Sequence, residues 1–171
     1  MKIDPSIFKA YDIRGVFPTN VDNDLAYQIG LAYAQYLKPE GEILVGEDVR
    51  IHSHELKESL IRGLIDAGVD VVDVGAISTD IYYYGVGKHN LAGGIQVTAS
   101  HNPKIDNGIK VFDKNAMQMD KNILNTIAKF MNSDISRADF WKKNQKIEHN
   151  FNVSQEVFDA YFAHIKSSQL L

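Results

Sequence analysis

Between residues 23 and 98 the periodicity of apolar residues switches back and forth, and this alternation constrains the fold more than any other feature of the chain. The runs EILVGED (42–48), VDVVDVG (69–75) and GGIQVT (93–98) have the length and branched side chains of buried strands. The stretches between them carry apolar residues at helical spacing. Asp22 stands as an N-cap before Leu25, Ile29, Ala32, Tyr33, Tyr36 and Leu37, and Pro39 closes that segment. Ser53 is read as the cap of a second helix with Leu56, Leu60, Ile61, Leu64 and Ile65 inward and Gly68 at its C′ position. STDIYYYGVGKH (78–89) predicts a weaker helix, softened by Gly85 and Gly87. Strand–helix–strand crossovers are right-handed and place helices over both faces of a sheet. The expected fold is α/β, a three-layer αβα domain with a mostly parallel, mixed sheet.

The flanks add to this frame. YDIRGVF (11–17) predicts a first strand, interrupted by Asp12 and Arg14. GIKVF (108–112) predicts another, after an Asn107-Gly108 turn. DKNILNTIAKFMN (120–132) predicts a helix capped by Asp120, with Ile123, Leu124, Ile127 and Met131 inward. Residues 133–153 are polar and read as a linker. Ser154 then caps a last helix with an apolar stripe of Val157, Phe158, Tyr161, Phe162 and Ile165. The expected organisation is one domain over 1–150, followed by a helix over 151–171 that either packs back on it or leads into a second domain.

Composition narrows the classes of function. A chain of 171 residues suits one compact domain, and the absence of cysteine rules out disulfides, thiolate metal sites and cysteine nucleophiles. The net charge of -4 argues against nucleic acid as a partner, because backbone binding needs a basic footprint. No apolar run is long enough to span a bilayer, so no membrane partner is expected. The first residues do not form an apolar leader, and the expected location is cytoplasmic.

Ligands of parallel α/β sheets bind at the carboxyl ends of the strands. GED (46–48), GAIST (75–79) and TASHNP (98–103) all fall at that edge, and TASHNP offers the hydroxyl of Ser100 there. Lys104 and Lys110 are close in sequence, while Lys9, Arg14 and Arg50 fall at other strand ends. An acidic chain that gathers cations at its ligand edge suits an anion, phosphate above all. Taken alone, Ser-His-Asn-Pro is also an ordinary turn whose side chains bond their own backbone. A serine hydrolase lacks support: there is no Gly-x-Ser-x-Gly elbow, and neighbouring strand side chains point apart, which would take His101 away from Ser100. His52 and His54 read as cap or surface residues rather than metal ligands, and His89, His149 and His164 as solvated positions. Tyr82, Tyr83 and Tyr84 read as packing, and no Gly-x-Gly-x-x-Gly supports a dinucleotide site.

TASHNP (98–103) followed by NGIK (107–110) resembles the active-site serine segment of the α-D-phosphohexomutases. FKAYDIRG (8–15) is similar to the N-terminal signature of their phosphomannomutase/phosphoglucomutase branch. VGEDVRIHSHEL (45–56) and GVDVVDVGAIST (68–79) resemble the family's second and third segments. The resemblance implies a reversible isomerase that moves phosphate between the 1- and 6-positions of a hexose. Ser100 would carry the phosphate as phosphoserine and bind Mg²⁺ through a phosphate oxygen. A hexose 1,6-bisphosphate would be the intermediate and activator, and a phosphorylated hexose the substrate. By the same matches Ser100, Lys110, Arg14 and His101 are implied as catalytic, with Lys110 exchanging the serine proton. Tyr11, Asn102 and Lys9 are implied as substrate-binding.

Glu47 departs from the arginine usual in the family, His52 and His54 from small residues, and Asp80 from proline. The family's acidic metal loop, sugar-selecting loop and C-terminal phosphate loop have no match in these residues. The resemblance therefore implies the first of four domains, with the remaining C-terminal domains of the same enzyme as partners and no turnover by this part alone. Two other readings stay open: a non-catalytic α/β domain that binds sugar phosphate or a protein partner, and a phosphoglucosamine mutase domain. The usual Thr-Asp-Gly-Ile-Arg-Gly of the latter differs from AYDIRG (10–15).

Overall fold

The computed structural model describes residues 3–89, 91–132, 147–148 and 151–168. A short 3-10 turn, Pro5–Ile7, precedes β1 (Ile13–Val16), α1 (Asn23–Leu37), β2 (Ile43–Glu47), α2 (Ser53–Asp66), β3 (Val71–Ala76) and α3 (Thr79–Lys88). There follow β4 (Gly93–Val97), β5 (Asp106–Asp113), α4 (Lys121–Asn132), β6 (Ile147–Glu148) and α5 (Phe151–Ser167). The strands form one sheet in the order β1-β5-β4-β2-β3-β6. β4, β2, β3 and β6 run parallel to one another. β5 is antiparallel to both β4 and β1, which makes the sheet mixed, as expected.

The local reasons for these elements are those of the sequence. Asp22 caps α1 by accepting the Leu25 amide at 2.8 Å, and Asp120 caps α4 by accepting the amides of Asn122 and Ile123. At the end of α2, Gly68 takes φ +81°, its amide bonds to Ile65 O and the Val69 amide to Leu64 O. These are the paired bonds of a Schellman termination. Strand residues alternate between the two faces. Ile43 and Val45 enter a core with Leu25, Ile29, Leu60, Leu64, Leu124 and Ile127 of α1, α2 and α4. Leu44, Val72 and Val74 enter a second core with Tyr82 and Val86 of α3 and Val157 of α5. Two cores on opposite faces of one sheet make the three layers.

Several boundaries differ from the sequence reading. Asn107 and Gly108, read as a turn before a strand, lie inside β5, which begins at Asp106 and pairs both residues with β1. His52, not Ser53, occupies the N-cap of α2 and makes no side-chain cap bond there. Ser53 is already helical, and its hydroxyl is drawn to Asp48 instead. The segment read as a linker contains β6, which pairs Ile147 with Val71 and Glu148 with Val72. The rest of that expectation, over 133–146 and 149–150, lies outside the described residues, as does His149. Finally, α5 starts at Phe151, before Ser154, and its stripe is covered along its first turns. Val157 is fully buried, Phe158 and Tyr161 pack against the second core, and Phe162 stays 45% exposed.

The tyrosines at 82–84 pack, as read. Tyr82 is fully buried and donates to Leu44 O at 2.9 Å, Tyr83 meets Phe112 edge-on, and Tyr84 donates to Ala160 O in α5. α1 and α2 approach closely at two glycines. A Cβ on Gly30 would collide with Leu60 O, and one on Gly63 with Tyr27 O. Both obstacles are helix backbone, so neither yields cheaply. Gly63→Ala is expected to lower stability by about 1–3 kcal/mol, as overpacking of close contacts does, without changing the fold; urea denaturation of the chain measures it.

Candidate functional site

The carboxyl ends of β2, β3 and β4 meet at one edge of the sheet. Because β5 runs the opposite way, its beginning lies there too: the Thr98 amide bonds to Gly108 O at 2.9 Å. Residues 98–108 thus form a loop closed at both ends. Inside it the Asn102 amide bonds to Ala99 O and the Asp106 amide to Pro103 O, two successive turns.

Ser100 sits at the head of this loop with φ +53°, a left-handed conformation that costs a non-glycine residue about 1 kcal/mol. Its amide donates to Thr98 Oγ1 at 2.9 Å, and its carbonyl accepts from Arg50. This conformation overturns one sequence argument. Ser100 is not in a strand, so alternation does not separate it from its neighbour, and Ser100 Oγ lies 3.0 Å from His101 Nδ1. Both side chains are exposed.

A cleft of about 780 Å³ opens in front of Ser100. His101, Asn102, Lys104 and Lys110 line it, together with Ser78 and Thr79 at the start of α3. Lys110 reaches the cleft from β5, where it pairs directly with the buried Gln96. Among the described residues the Lys110 side chain makes no hydrogen bond or ion pair. Burial lowers its pKa below the usual lysine value, the positive charge of Arg14 lowers it further, and Asp12 opposes them.

Arg14 approaches the loop from β1. Its Nε and Nη2 both pair with Asp12 Oδ2 at 2.8 Å, and Nη1 donates to Ala99 O at 3.0 Å and Asn102 Oδ1 at 2.6 Å. Asn102 is held on its other side by donating to Asp106. Arg14 is thereby joined to the Ser100 loop, of which Asn102 is a part. Lys9 and Tyr11 are not: Lys9 Nζ turns to Ser6 O, and Tyr11 is 60% exposed, with its carbonyl accepting from Gln118.

Arg50 also departs from the sequence reading. Its Nε pairs with Asp48 at 3.2 Å, and its terminal nitrogens donate to four carbonyls of the loop, those of Ser100, Asn102, Pro103 and Asp106. It is committed to the backbone and not free for an anion. Asp48 completes the tie by accepting from the Ala99 amide and the Ser53 hydroxyl. Sequence reading placed Asp48 at the ligand edge but gave it no partner. The available signal was its spacing from Arg50, since an aspartate two residues ahead accepts the following amide, here at 3.1 Å.

The histidines take structural places. His52 stacks on Phe17 with centroids 4.5 Å apart, and its Nδ1 accepts from Asn107 at 2.8 Å. His54 is exposed and lies 3.2 Å from Glu47. Glu47 itself is buried and pairs with Lys57 at 3.1 Å, and Lys57 also reaches Asp73 at 2.8 Å. Burial alone would depress the Lys57 pKa, but Asp73 and then Glu47 carry it above the usual value. No group of three histidine or acidic side chains among the described residues is arranged to hold a metal ion. A phosphate on Ser100 would supply one oxygen toward Mg²⁺, which takes about six, so the described residues do not form that site by themselves. No helix among them is long and apolar enough to cross a membrane.

With this geometry in place, the likeness to known proteins is specific. Residues 5–138 match the family of phosphoglucomutase/phosphomannomutase, alpha/beta/alpha domain I. A phosphomannomutase of Escherichia coli is 51% identical over 109 residues, covering 64% of this chain and 24% of that protein. A phosphomannomutase of Klebsiella pneumoniae is 50% identical over 109 residues, covering 64% of this chain and 69% of that protein. The crystal structure of a phosphoglucomutase/phosphomannomutase family protein from Burkholderia thailandensis superposes with a TM-score of 0.78 at 32% identity, over 96% of this chain and 36% of that one. The chain belongs to the phosphoglucomutase/phosphomannomutase family and carries its alpha/beta/alpha domain I. It spans about a quarter of the length of the E. coli relative.

The charges around Lys110 give a signed expectation. Arg14→Ala should raise the Lys110 pKa by removing a cation and releasing the charge of Asp12, whereas Asp12→Asn should lower it further. Carbon-13 NMR titration of labelled lysine side chains resolves both shifts.

Proposed function

We propose that Ser100 is the phosphate carrier of a phosphohexomutase that interconverts the 1- and 6-phosphates of mannose, glucose or both. The observation that carries this reading is the placement of an exposed Ser100 in the loop that follows β4, in one cleft with Lys110, whose side chain is unpaired among the described residues. Phosphomannomutase relatives support the substrate class.

In the carrier state Ser100 bears a phosphate. A hydroxyl oxygen of the hexose monophosphate attacks the phosphorus, the P–Oγ bond breaks, and a hexose 1,6-bisphosphate forms. The proton of the sugar hydroxyl is passed within the site, and Ser100 Oγ takes up a proton as it leaves. The return transfer from the other phosphate of the bisphosphate reverses these bonds and regenerates phosphoserine. Lys110 is the group suited to exchange the serine proton, because its lowered pKa brings the neutral amine nearer to working pH. Arg14 stays charged and adds positive potential where phosphate oxygens gather. His101, within hydrogen-bond distance of Oγ, orients the hydroxyl. Asn102 supports the loop, and Lys9 and Tyr11 act only on the far parts of a bound sugar phosphate, since they lie outside the cleft. Mg²⁺, when bound to the phosphoserine, supplies further neutralisation, with its remaining ligands coming from outside the described residues. The α5 helix leads toward the other domains of the enzyme, which complete the site, and residues 1–171 alone are expected to show no turnover.

Incubating the full-length enzyme carrying this domain with glucose 1,6-bisphosphate and Mg²⁺, and mapping phosphopeptides by mass spectrometry, tests the assignment. Phosphate is expected on Ser100; phosphate on Ser53 or Ser78 instead would refute it. In the full-length enzyme carrying this domain, Ser100→Ala should abolish turnover with the fold intact. Lys110→Ala should lower kcat by roughly 10²–10⁴-fold, the usual contribution of a proton-transfer group.

A further inference from the structure

We infer that Arg50, anchored by Asp48, is a positioning residue that fixes the Ser100 loop in the shape needed for phosphoryl transfer. The inference rests on the reading of Ser100 as the carrier. Its basis is a complete use of one side chain. Arginine has five N–H donors in a rigid planar fork. Here Nε goes to Asp48 Oδ2, Nη1 to the carbonyls of Pro103 and Asp106, and Nη2 to those of Ser100 and Asn102. Four carbonyls from one seven-residue loop, 100–106, converge on a single guanidinium. The same aspartate accepts the Ala99 amide at 3.3 Å, so the loop is gripped just before Ser100 as well as after it.

This arrangement determines where the serine hydroxyl stands. The Ser100 carbonyl is turned inward to Arg50 while its amide is held by Thr98 Oγ1, and these two bonds fix the peptide planes on either side of a left-handed residue. Without them the loop is two short turns of polar residues that bury almost nothing. Val49 and Ile51, which flank Arg50, are 92% and 98% exposed, and Ile105 in the loop is 61% exposed. Arg50 therefore does not support either hydrophobic core. Its removal should leave the domain folded and the carrier misplaced. Lysine cannot substitute, because an ammonium offers three donors without the fork and cannot reach Asp48 and four carbonyls together.

The test uses the full-length enzyme carrying this domain, with Arg50→Lys, Arg50→Ala and Ser100→Ala variants. Three quantities are measured: the rate of Ser100 phosphorylation by glucose 1,6-bisphosphate, the steady-state constants for hexose 1-phosphate, and the melting temperature. Both Arg50 variants should lose roughly 10²-fold in phosphorylation rate and kcat, the scale set by displacement of a reacting atom by about 1 Å. KM and melting temperature should stay near those of the parent. Added methylguanidinium should restore kcat to Arg50→Ala, and methylammonium should not. Parental rates in Arg50→Lys, or a raised KM at unchanged kcat, would overturn the inference, the latter by making Arg50 a substrate ligand. A loss of activity that follows a fall in melting temperature and is not rescued would overturn it too. Ser100→Ala separates the two levels: if it keeps turnover, the carrier reading fails and this inference with it, whereas an inactive Ser100→Ala beside a fully active Arg50→Lys removes the inference alone.

Discussion

The site depends on the reversed direction of one strand. Had β5 run parallel to β4, its first residue would lie at the opposite edge, and a crossover helix would have to join them. Running antiparallel, β5 begins where β4 ends, and the Thr98 amide and Gly108 carbonyl close the loop between them. The same reversal lets β1 pair with β5, Arg14 opposite Gly108. Residues far apart in the chain thus meet on three adjacent strands: Arg14 from β1, Lys110 from β5 and the Ser100 loop from β4. The parallel half of the sheet contributes Asp48 and Arg50 from the end of β2.

An acidic chain brings several cations to this edge, but they do not share one task. Arg14 is divided between Asp12 and the loop, and Arg50 is spent on carbonyls. Lys110 is the cation among these three that keeps its donors unused, and it is also the one whose proton is held more loosely than usual. Arginine keeps its charge over the whole working pH range, while a lysine can be tuned by its surroundings. The division follows from that chemistry: arginines shape and charge the edge, and the lysine is left available to titrate.

The layers, the strand order of types and most caps were legible in the sequence because each rests on local signals. Asp22 and Asp120 bond amides within three residues, and Gly68 meets a backbone angle that it alone accepts freely. The two apolar faces of Ile43, Leu44 and Val45 follow from the period of a strand. What stayed hidden is non-local or conformational. The inward turn of Arg50 depends on a loop 50 residues downstream, and no local pattern carries that. The meeting of Ser100 with His101 required a left-handed residue, which sequence favours at glycine or asparagine rather than serine. β6 has two residues and pairs through its backbone, too short for any periodicity to show. Ser100 was singled out through the family resemblance of the segments around it, since a Ser-His-Asn-Pro turn carries no chemistry by pattern alone.

The triad of Glu47, Lys57 and Asp73 bears on which side chains position 47 of this chain accepts. It ties β2, α2 and β3 together immediately behind the ligand edge. The resemblance noted from the sequence puts arginine, rather than glutamate, at position 47 in related chains. Beside Lys57 an arginine would set two cations against one carboxylate in a nearly dry place, and a charge left unpaired there costs about 3–5 kcal/mol. Arginine at position 47 of this chain would therefore lower its stability unless position 57 or 73 changed with it.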